Sequence, residues 1–485
     1  MWYFKKIAVL LNTVRYLRPI QIIYQIIYRL NGVKSFRRYS IDVDVDKCQG
    51  LIFSDILPVN SCYDGNCFTF LNQKHSFDKD IDWSYLKYGK LWNYNLQYMN
   101  YILQDSLSVK QRILLIIDFN KALKSNKVKL EAYPTSLRII NTIRFFNNNY
   151  NFNENTNEPL ECLCYQVNFL SRRIEYHLLG NHVLENGFAL LMGGAFFNNT
   201  KWINQAHNIL VRQLNEQILP DGGHFELSVM YHQIILHRLL ELIDWYRNWP
   251  NKRQNLLNFF IEKASAMLGW LNQMTFANGD IPHFNDSASG ITYTSRELFL
   301  YARSLNVNEN KVLRLKESGY RKFGNDRYEC IVDVGRIGPV YQPGHGHADA
   351  LSFILYVDNS PFLVELGTST YQTGDRRAKE RSSAAHNTAV LNEKNQSEVW
   401  SAFRVGKRAS VSILDDENNR LEASHDGYSR FGVTHERRLE CKQREIIITD
   451  KAIGSLSLRS ISSLIIKDKF STLKKDRLFL KAANG

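Results

Sequence analysis

The chain has 485 residues, 44% of them hydrophobic and 22% charged, which is typical of a soluble globular protein and, at this length, of more than one domain. The net charge is +13, so we expect the surface to attract a polyanion, although a general solubilising charge would explain the same number. Because the sequence has no zinc-finger spacing, no Walker loop and no RNA-binding signature, we predict no nucleic-acid partner and favour an acidic glycan or a membrane surface.

The first predicted segment, residues 1–90, opens with "MWYFKKIAVLLNTVRYLRPIQIIYQIIYRL". The apolar run Ile7–Leu11 is short, Asn12 and Arg15 follow it, and no small-residue cleavage site comes after, so no signal peptide is predicted. The segment also lacks the roughly 18 uninterrupted apolar residues of a membrane span. Basic and aromatic residues alternate with Ile and Leu as far as Arg29, which predicts an amphipathic helix packed on the rest of the protein. The alternative is a helix at a membrane interface, which would give a peripheral membrane contact.

The cysteines do not predict a disulfide framework. There are seven, an odd number with irregular spacing, and Cys162 and Cys164 form C-x-C rather than the C-x-x-C of redox or zinc sites. Cys62 and Cys67 are close enough in sequence to pair in an oxidising compartment, but free thiols are the prediction.

Successive helices are predicted in residues 91–322. "SVKQRILLIIDFNKAL" has the helical period with Ser108 as its N-cap, and "PTSLRIINTIRFF" begins a helix at Pro134 and Thr135. "NHVLENGFALLMGGAFF" places Leu184 and Phe188 on one face, and two long helical segments follow. Helix pairs without strands between them predict an all-α domain, either a bundle or a ring of helical hairpins.

Residues 323–485 change to short, β-rich segments. Leu351, Phe353, Leu355 and Val357 alternate with other residues before a "DNSP" turn, which is typical of strands in a hairpin. The pattern predicts a mostly antiparallel β domain, by default a sandwich, whose last sheet is expected to be incomplete. The predicted fold class is therefore α+β and multidomain, with helices first and sheets second.

Two helix starts carry candidate site residues. Asn181 and His182 follow Gly180 at a predicted helix N-terminus, where backbone N–H groups and the helix dipole would help to bind a carboxylate; a simple N-cap role for Asn181 is the alternative. "DGGHFELSVMYHQ" leads into a helix that carries Tyr231, which is either a proton-transfer phenol or a packing residue.

The stretch "YQPGHGHADALSF" adds two histidines, His345 and His347. With Glu365 and His386 in the segments that follow, His347 could complete a His/carboxylate/His set, which suits zinc. Taken alone, a His-x-His pair is a weak metal signal.

Several stretches in this order resemble the heparinase II/III-like polysaccharide lyases, related to alginate and other uronan lyases. They are "WNYNLQY", "EAYPTSLRIIN", "NHVLENGFAL", "DGGHFELSVMYH", "HFNDS", "PGHGHADALSF" and "RSSAAHNTAVLNEKNQSE", between Trp92 and Glu398. The resemblance implies an incomplete (α/α) toroid followed by an antiparallel β-sandwich. It also implies β-elimination on a uronic-acid polysaccharide, as part of bacterial surface polysaccharide metabolism or assembly.

The resemblance also assigns the site. It implies that Asn181 and His182 neutralise the substrate carboxylate, and that Tyr231 is the phenolic base or the acid that protonates the departing oxygen. His345 matches the catalytic histidine of the β domain. The match further implies a structural zinc ion on His347, Glu365 and His386, although Asp is common at the middle position, and no organic cofactor. The positive charges expected around Tyr231 should lower its pKa.

Two other classes of function remain open. A non-catalytic glycan-binding or assembly protein would keep the fold without needing the proton-transfer residues. A glycoside hydrolase would need two carboxylates across the scissile bond, for which the candidates are Glu185, Asp221, Glu226 and Asp286. The resemblance suggests the cell envelope or periplasm, but without a predicted signal peptide the cytoplasm remains open, as does the oligomeric state.

Overall fold

The computed structural model describes residues 2–32, 48–54, 56–59, 62–149, 157–312, 314–454, 460–462, 471–474 and 477–480. The chain divides into two compact units: the helical unit, Arg18–Glu216 with Arg238–Ile261, and the mixed unit, Met1–Leu17 with Gln217–His237 and Glu262–Gly485. Helices precede antiparallel sheets along the chain, as the sequence predicts. The predicted segment boundaries after residues 90 and 322 stay predictions.

The helices of the described chain are as follows: α1 (Trp2–Val14), α2 (Pro19–Leu30), α3 (Lys90–Tyr98), α4 (Val109–Lys124), α5 (Ala132–Asn149), α6 (Asn157–Arg172), α7 (Asn181–Phe196), α8 (Thr200–Gln217), α9 (Val229–Asn248), α10 (Gln254–Met274), α11 (Ser295–Ser304) and α12 (Asp375–Glu380). Ser108 caps α4 by accepting a hydrogen bond from the Gln111 N–H, as predicted. α5 begins at Ala132, so Pro134 lies in the first turn, where its missing N–H is tolerated. No helix of the described residues has both the length and the hydropathy needed to cross a bilayer.

α7 is the most buried helix of the helical unit. Every side chain from Val183 to Phe196 is buried, and its glycines let the neighbouring helices approach closely. A Cβ at Gly193 would lie 2.8 Å from Val167 of α6, and one at Gly187 would lie 2.9 Å from Ile209 of α8. Arg138 of α5 ties further elements together, since it donates to Gln166 of α6 and to the Gln97 carbonyl oxygen of α3.

The strands are β1 (Tyr63–Asp64), β2 (Cys67–Phe70), β3 (Gln73–Ser76), β4 (Tyr320–Gly324), β5 (Tyr328–Asp333), β6 (Phe353–Val357), β7 (Ser360–Leu363), β8 (Ala389–Leu391), β9 (Val399–Trp400), β10 (Arg404–Val405), β11 (Val411–Asp416), β12 (Arg420–His425), β13 (Val433–Cys441), β14 (Ile446–Gly454), β15 (Ser460–Ser462), β16 (Ser471–Lys474) and β17 (Arg477–Leu480). β1–β3 form a small antiparallel sheet within the helical unit.

The mixed unit has a sandwich core between two four-stranded antiparallel sheets. One sheet has the order β4-β5-β6-β7 and the other β11-β12-β13-β14. Side chains from both sheets share one hydrophobic cluster, including Val332, Phe353 and Leu355 from the first sheet and Leu421 and Leu439 from the second. Burial of this apolar surface is the main stabilising contribution to the sandwich.

The predicted alternation along β6 is only partly right. Phe353 and Leu355 face the sandwich core, but the residues between and after them, Ile354 and Tyr356, are buried as well. Tyr356 stacks on Phe276 with ring centroids 3.8 Å apart. Both faces of this strand are therefore covered, and a nearly continuous apolar run is the expected pattern for such a strand.

The predicted N-terminal amphipathic helix is two helices, because Pro19 begins a second one, whose start is capped by the Gln21 side chain accepting a hydrogen bond from the Arg18 N–H. α1 packs within the mixed unit, where Thr13 accepts a hydrogen bond from the Trp400 indole N–H at 3.1 Å. α2 packs within the helical unit, where the Tyr28 hydroxyl donates to the Ile174 carbonyl oxygen at 2.6 Å. All seven cysteines are free thiols.

Candidate active site

The centre of the site in the mixed unit is Asp286, in the loop after α10. Its carboxylate is completely buried and accepts hydrogen bonds from His345 Nδ1 and His347 Nε2, each at 2.9 Å, and from Arg377 Nη2 at 2.7 Å. Burial would raise the pKa of Asp286, but the Arg377 charge and these hydrogen bonds together hold it well below its ordinary value. Asp286 is therefore a carboxylate at neutral pH.

The bend between the two histidines is built from close backbone packing. A Cβ at Gly346 would lie 2.0 Å from the Ile337 carbonyl oxygen, so only glycine fits between His345 and His347. The same loop is pinned to Asn285, whose Oδ1 accepts from the His347 N–H at 2.9 Å. As a result, both imidazoles reach the same carboxylate from different sides, one on each oxygen.

His345 is positioned as a proton acceptor. Because Asp286 is ionised, His345 Nδ1 must be the donor of their hydrogen bond, and in the neutral imidazole this leaves Nε2 with a free lone pair. Nε2 lies 3.7 Å from Glu226 Oε2. The His345 side chain keeps 12% of its surface exposed, whereas the Asp286 and His347 side chains are fully enclosed.

Tyr231, in the first turn of α9, lies directly against His345. Their ring centroids are 3.9 Å apart, and the Tyr231 hydroxyl donates to the Tyr371 hydroxyl at 3.2 Å. Burial raises the pKa of Tyr231 well above its ordinary value, and Tyr371, Asp286 and Glu226 raise it further. The expectation of a lowered pKa is wrong for the protein without substrate, because burial is the largest influence on the pKa of this phenol, and the anionic and phenolic groups beside it act in the same direction.

Tyr371 and Arg377 complete this cluster, and neither was predicted. The Tyr371 ring stacks on Phe403 with centroids 5.5 Å apart, and the Arg377 guanidinium lies 5.2 Å from the Tyr371 centroid. Arg377 comes from the six-residue helix α12, which has no strong sequence signal. Asp286, which binds Arg377, lies in the "HFNDS" stretch that contributes to the resemblance. That stretch is the sequence signal for Asp286, whereas Tyr371 and Arg377 have none.

Asn181 and His182 lie at the start of α7, in the helical unit. Gly180, with φ +59°, occupies the N-cap position and Asn181 is the first helical residue, so the N-cap interpretation of Asn181 is wrong. His182 Nδ1 contacts Glu175 Oε1 at 3.2 Å, and its ring packs on Tyr133 at 4.6 Å between centroids. Asn186 Nδ2 donates to the other Glu175 oxygen at 3.1 Å, which fixes the carboxylate that orients His182.

The proposed metal ligands lie together in part. Glu365 uses both carboxylate oxygens within the protein: one contacts His386 Nδ1, and the other contacts the Ser352 hydroxyl and accepts from the Asn387 N–H. The His347 and His386 ring centroids are 5.3 Å apart. No three His, Cys, Asp or Glu side chains in the described part of the chain form a group that could hold a metal ion as they stand, so zinc stays a prediction.

Three buried atoms beside this set nevertheless lack a hydrogen-bond partner. They are His347 Nδ1, His386 Nε2 and Asp349 Oδ2. Buried polar atoms are normally paired, and unpaired imidazole nitrogens and carboxylate oxygens are ordinary zinc ligands. The chemistry of the donors therefore fits zinc, with Glu365 acting as the partner that orients His386 rather than as a free ligand.

The candidate carboxylates for a glycoside hydrolase make hydrogen bonds or ion pairs within the protein. Asp221 accepts from the Ser318 N–H and hydroxyl, both at 2.7 Å, and from the Gly223 N–H. The Asp286 carboxylate accepts hydrogen bonds from His345, His347 and Arg377. Glu185 lies in the helical unit, where burial raises its pKa to about 7 despite Arg238 at 3.4 Å. Glu226, the fourth candidate, lies 3.7 Å from His345 Nε2. Among the described residues these contacts therefore give no support for an acid and base pair across a glycosidic bond.

Comparison with known proteins gives the family to which this chain belongs. Residues 26–306 match the family model described as the heparinase II/III N-terminus, and residues 308–469 match the model described as heparinase II/III-like, C-terminal. The chain therefore belongs to the heparinase II/III-like family.

Individual relatives are distant. The heparin-sulfate lyase of Bacteroides stercoris is 22% identical over 314 residues, which are 58% of this chain and 45% of that protein. The heparin-sulfate lyase of Bacteroides thetaiotaomicron is 22% identical over 373 residues, 65% of this chain and 50% of that protein. The chain thus spans about half the length of the curated relatives that it matches.

Solved structures show the same fold. A crystal structure of heparinase III has a TM-score of 0.61 at 19% identity, covering 90% of this chain and 75% of that one. A heparan sulfate lyase structure from Pedobacter heparinus has a TM-score of 0.51 at 15% identity, covering 90% and 74%. At such identities the likeness establishes the fold class predicted from the sequence and no more.

Proposed function

We propose that the protein is a polysaccharide lyase that cleaves a uronic-acid-containing polysaccharide by β-elimination, within bacterial surface polysaccharide metabolism or assembly. The observation that carries this proposal is the contact between Tyr231 and His345, with His345 held by the Asp286 carboxylate. A base and an acid side by side are what removal of the C5 proton and departure of O4 require. The net charge of +13 suits an acidic substrate.

The proposed reaction assigns one proton to each residue. His345 Nε2 takes the C5 proton, the C5–H electron pair forms the C4–C5 double bond, and the C4–O4 bond breaks. Tyr231, whose pKa is raised by burial, carries its proton at neutral pH and donates it to the departing O4. The imidazolium that forms on His345 lies between the carboxyl groups of Asp286 and Glu226, which stabilise its charge.

Of the two roles that the sequence left open for Tyr231, the structure of the free protein supports the acid. A phenol with a raised pKa is a poor base near neutrality but retains the proton that a leaving group needs. Asn181 and His182 keep their proposed role of neutralising the substrate carboxylate, which makes the C5 proton more acidic.

The test is the ultraviolet absorbance of the new C4–C5 double bond when the purified protein is mixed with a panel of uronic-acid polysaccharides. Tyr231→Phe should lower the rate by at least about 100-fold, with an unchanged circular dichroism spectrum. The matched control is Tyr328→Phe, which removes a phenol of β5 whose hydroxyl donates to the Lys442 carbonyl oxygen, and it should retain the wild-type rate. Full activity of Tyr231→Phe would exclude the proposed acid.

A non-catalytic glycan-binding protein with the same fold is the second candidate. It is favoured only by the distance of the relatives, at 22% identity. Binding of a uronan in a calorimeter without any rise in absorbance, for the wild type and Tyr231→Phe alike, would establish it.

We also propose that a structural zinc ion binds beside His347 and His386. The unpaired atoms His347 Nδ1 and His386 Nε2 would hold it, and its contribution would be to cross-link the loop of His347 to the loop of His386. The measurement is the metal content of the purified protein, followed by thermal unfolding with and without a chelator. Chelation should lower the melting temperature of the wild type but not of His386→Ala. A wild type that contains no zinc after reconstitution contradicts this proposal.

A further inference from the structure

α2 displays an apolar stripe to solvent. Five aliphatic side chains are exposed along it, with accessible fractions between 36% at Ile27 and 81% at Leu30. Their spacing of one, three and four residues places them on one side of the helix. We call these residues the α2 stripe: Ile22, Ile23, Ile26, Ile27 and Leu30.

The opposite side of α2 is the side that packs on the helical unit, and its contacts are polar and aromatic. Gln21 Nε2 donates to the Leu178 carbonyl oxygen at 3.3 Å, and the Tyr28 hydroxyl donates to that of Ile174 at 2.6 Å. The Tyr24 ring packs against Tyr176 with centroids 4.9 Å apart. An ordinary surface helix buries its aliphatic side, so α2 has the reverse orientation. Much of its aliphatic side therefore remains accessible instead of packing within the helical unit.

α1, within the mixed unit, also exposes aliphatic side chains on one side and makes polar contacts on the other. Ile7, Leu10 and Leu11 are exposed, Leu11 with 64% of its surface accessible. The helix is held from the other side, where Asn12 donates to Glu398 at 3.2 Å and Thr13 accepts from the Trp400 indole. Two successive helices therefore each expose the side that a globular core would normally cover.

The charge of this region is of one sign. The first 41 residues contain no Asp or Glu, and their basic residues are Lys5, Lys6, Arg15, Arg18, Arg29, Lys34, Arg37 and Arg38. Arg29 lies in the last turn of α2, next to Leu30 of the stripe. A surface that combines exposed aliphatic side chains with basic residues complements the acyl and anionic headgroup layers of a membrane.

We propose that α2 binds an anionic membrane surface peripherally through the α2 stripe, and that α1, in its own unit, is suited to the same kind of contact. α2 has 12 residues, so it is about 18 Å long and shorter than the roughly 30 Å hydrocarbon core, and it lies in the plane of the interface. A second copy of the chain fits less well. A twofold contact places each patch against its own equivalent, which brings the same basic residues together, and of these Arg18 already pairs with Glu216 of its own chain.

The experiment is co-sedimentation of the full chain with vesicles of phosphatidylcholine alone and of phosphatidylcholine with phosphatidylglycerol. The wild type should bind the anionic vesicles and be released in part by salt. Ile23→Ser with Ile26→Ser should weaken this binding by at least about tenfold, because two aliphatic side chains no longer enter the interface. The matched control is Ile291→Ser with Leu300→Ser, which removes two aliphatic residues exposed to a similar degree and should bind like the wild type.

Two results would overturn the proposal. One is equal binding of the stripe variant and the wild type to anionic vesicles, or no binding by either. The other is a dimer of the wild type in sedimentation equilibrium that the stripe variant converts to a monomer, since a second copy would then cover the stripe. Circular dichroism and thermal unfolding confirm that the variants are folded. Lyase activity on a soluble uronan should not change, so this test is independent of the proposed reaction.

Discussion

At the scale of single residues, Asp286 shows where sequence reasoning stops. His345, His347 and Tyr231 were chosen from local patterns, and the structure brings His345 and Tyr231 into ring contact. The sequence gives Asp286 no role beyond a candidate carboxylate within the matching "HFNDS" stretch, because a lone Asp in a loop does not indicate which residues it will contact. Its role comes from Arg377, 91 positions further along the chain, and contacts over such separations have no local signal.

Asp286→Asn should lower both the free energy of unfolding and the rate of the proposed reaction. The substitution leaves the Arg377 guanidinium buried without its carboxylate, which costs about 3–5 kcal/mol in the free energy of unfolding. It also removes the anion that keeps the His345 proton on Nδ1, so the rate should fall even at temperatures where the variant is folded. Urea unfolding and the absorbance assay measure the two effects. Asp415→Asn is the control, because the Arg420–Asp415 pair is partly exposed and such pairs contribute little to stability.

The difference in the free energy of unfolding between the wild type and Asp286→Asn should decrease as the pH falls. Since the pKa of Asp286 is depressed by folding, its contribution is present above the unfolded value of about 3.9 and is lost as the pH falls below it. The wild type and Asp286→Asn should therefore differ most near neutrality and converge in acid. A difference that grows as the pH falls would contradict the assignment of an ionised Asp286.

At the scale of elements, the sequence predicts helices that have a regular apolar period. It does not predict a very short helix or the close packing between helices. The N-cap residue Ser108 and the helical period of apolar residues after it predict α4, and the structure confirms this helix. α12 is not predicted, because its six residues include only one apolar side chain and give no hydrophobic period to detect. The glycines of α7 look like helix-weakening residues in sequence, and only the distance from Gly193 to Val167 explains why they are needed.

Gly193→Ala should destabilise the helical unit although alanine is the better helix former. The added Cβ would lie 2.8 Å from two Val167 methyl groups, and such overpacking costs about 1–3 kcal/mol, more than the roughly 1 kcal/mol that helix propensity returns. Thermal and urea unfolding measure the loss. Adding Val167→Ala to Gly193→Ala should recover part of it. Gly374→Ala is the control, since no atom lies within 4 Å of its added Cβ, and its effect should be small.

At the scale of the whole molecule, the order of helices and sheets followed from the change of period near residue 322. The limits of the compact units did not. The chain passes between units at His237/Arg238 inside α9 and at Ile261/Glu262 inside α10. A boundary within a continuous helix has no turn, proline or change of composition to mark it, so no reading of local sequence could have placed it there.

The net charge of +13 leads to a prediction for the whole chain. If the charge steers an acidic polysaccharide to the site, kcat/KM should fall by about tenfold when salt shortens the screening length from about 30 Å at 0.01 M to about 8 Å at 0.15 M. The maximal rate should change much less, because a bound substrate is held by contacts that salt screens weakly. Initial rates from the absorbance assay at both salt concentrations separate the two parameters.

The control for this experiment is the free energy of unfolding at the same two salt concentrations, which should not fall as salt is added. Salt screens the net self-repulsion that results from the excess of 61 basic residues over 48 acidic ones, so stability should rise slightly or stay constant. A lower kcat/KM can then be assigned to weaker encounter with substrate rather than to partial unfolding. If kcat/KM is independent of salt, the basic surface does not steer the substrate, and the excess charge has the general solubilising role that the composition also allows.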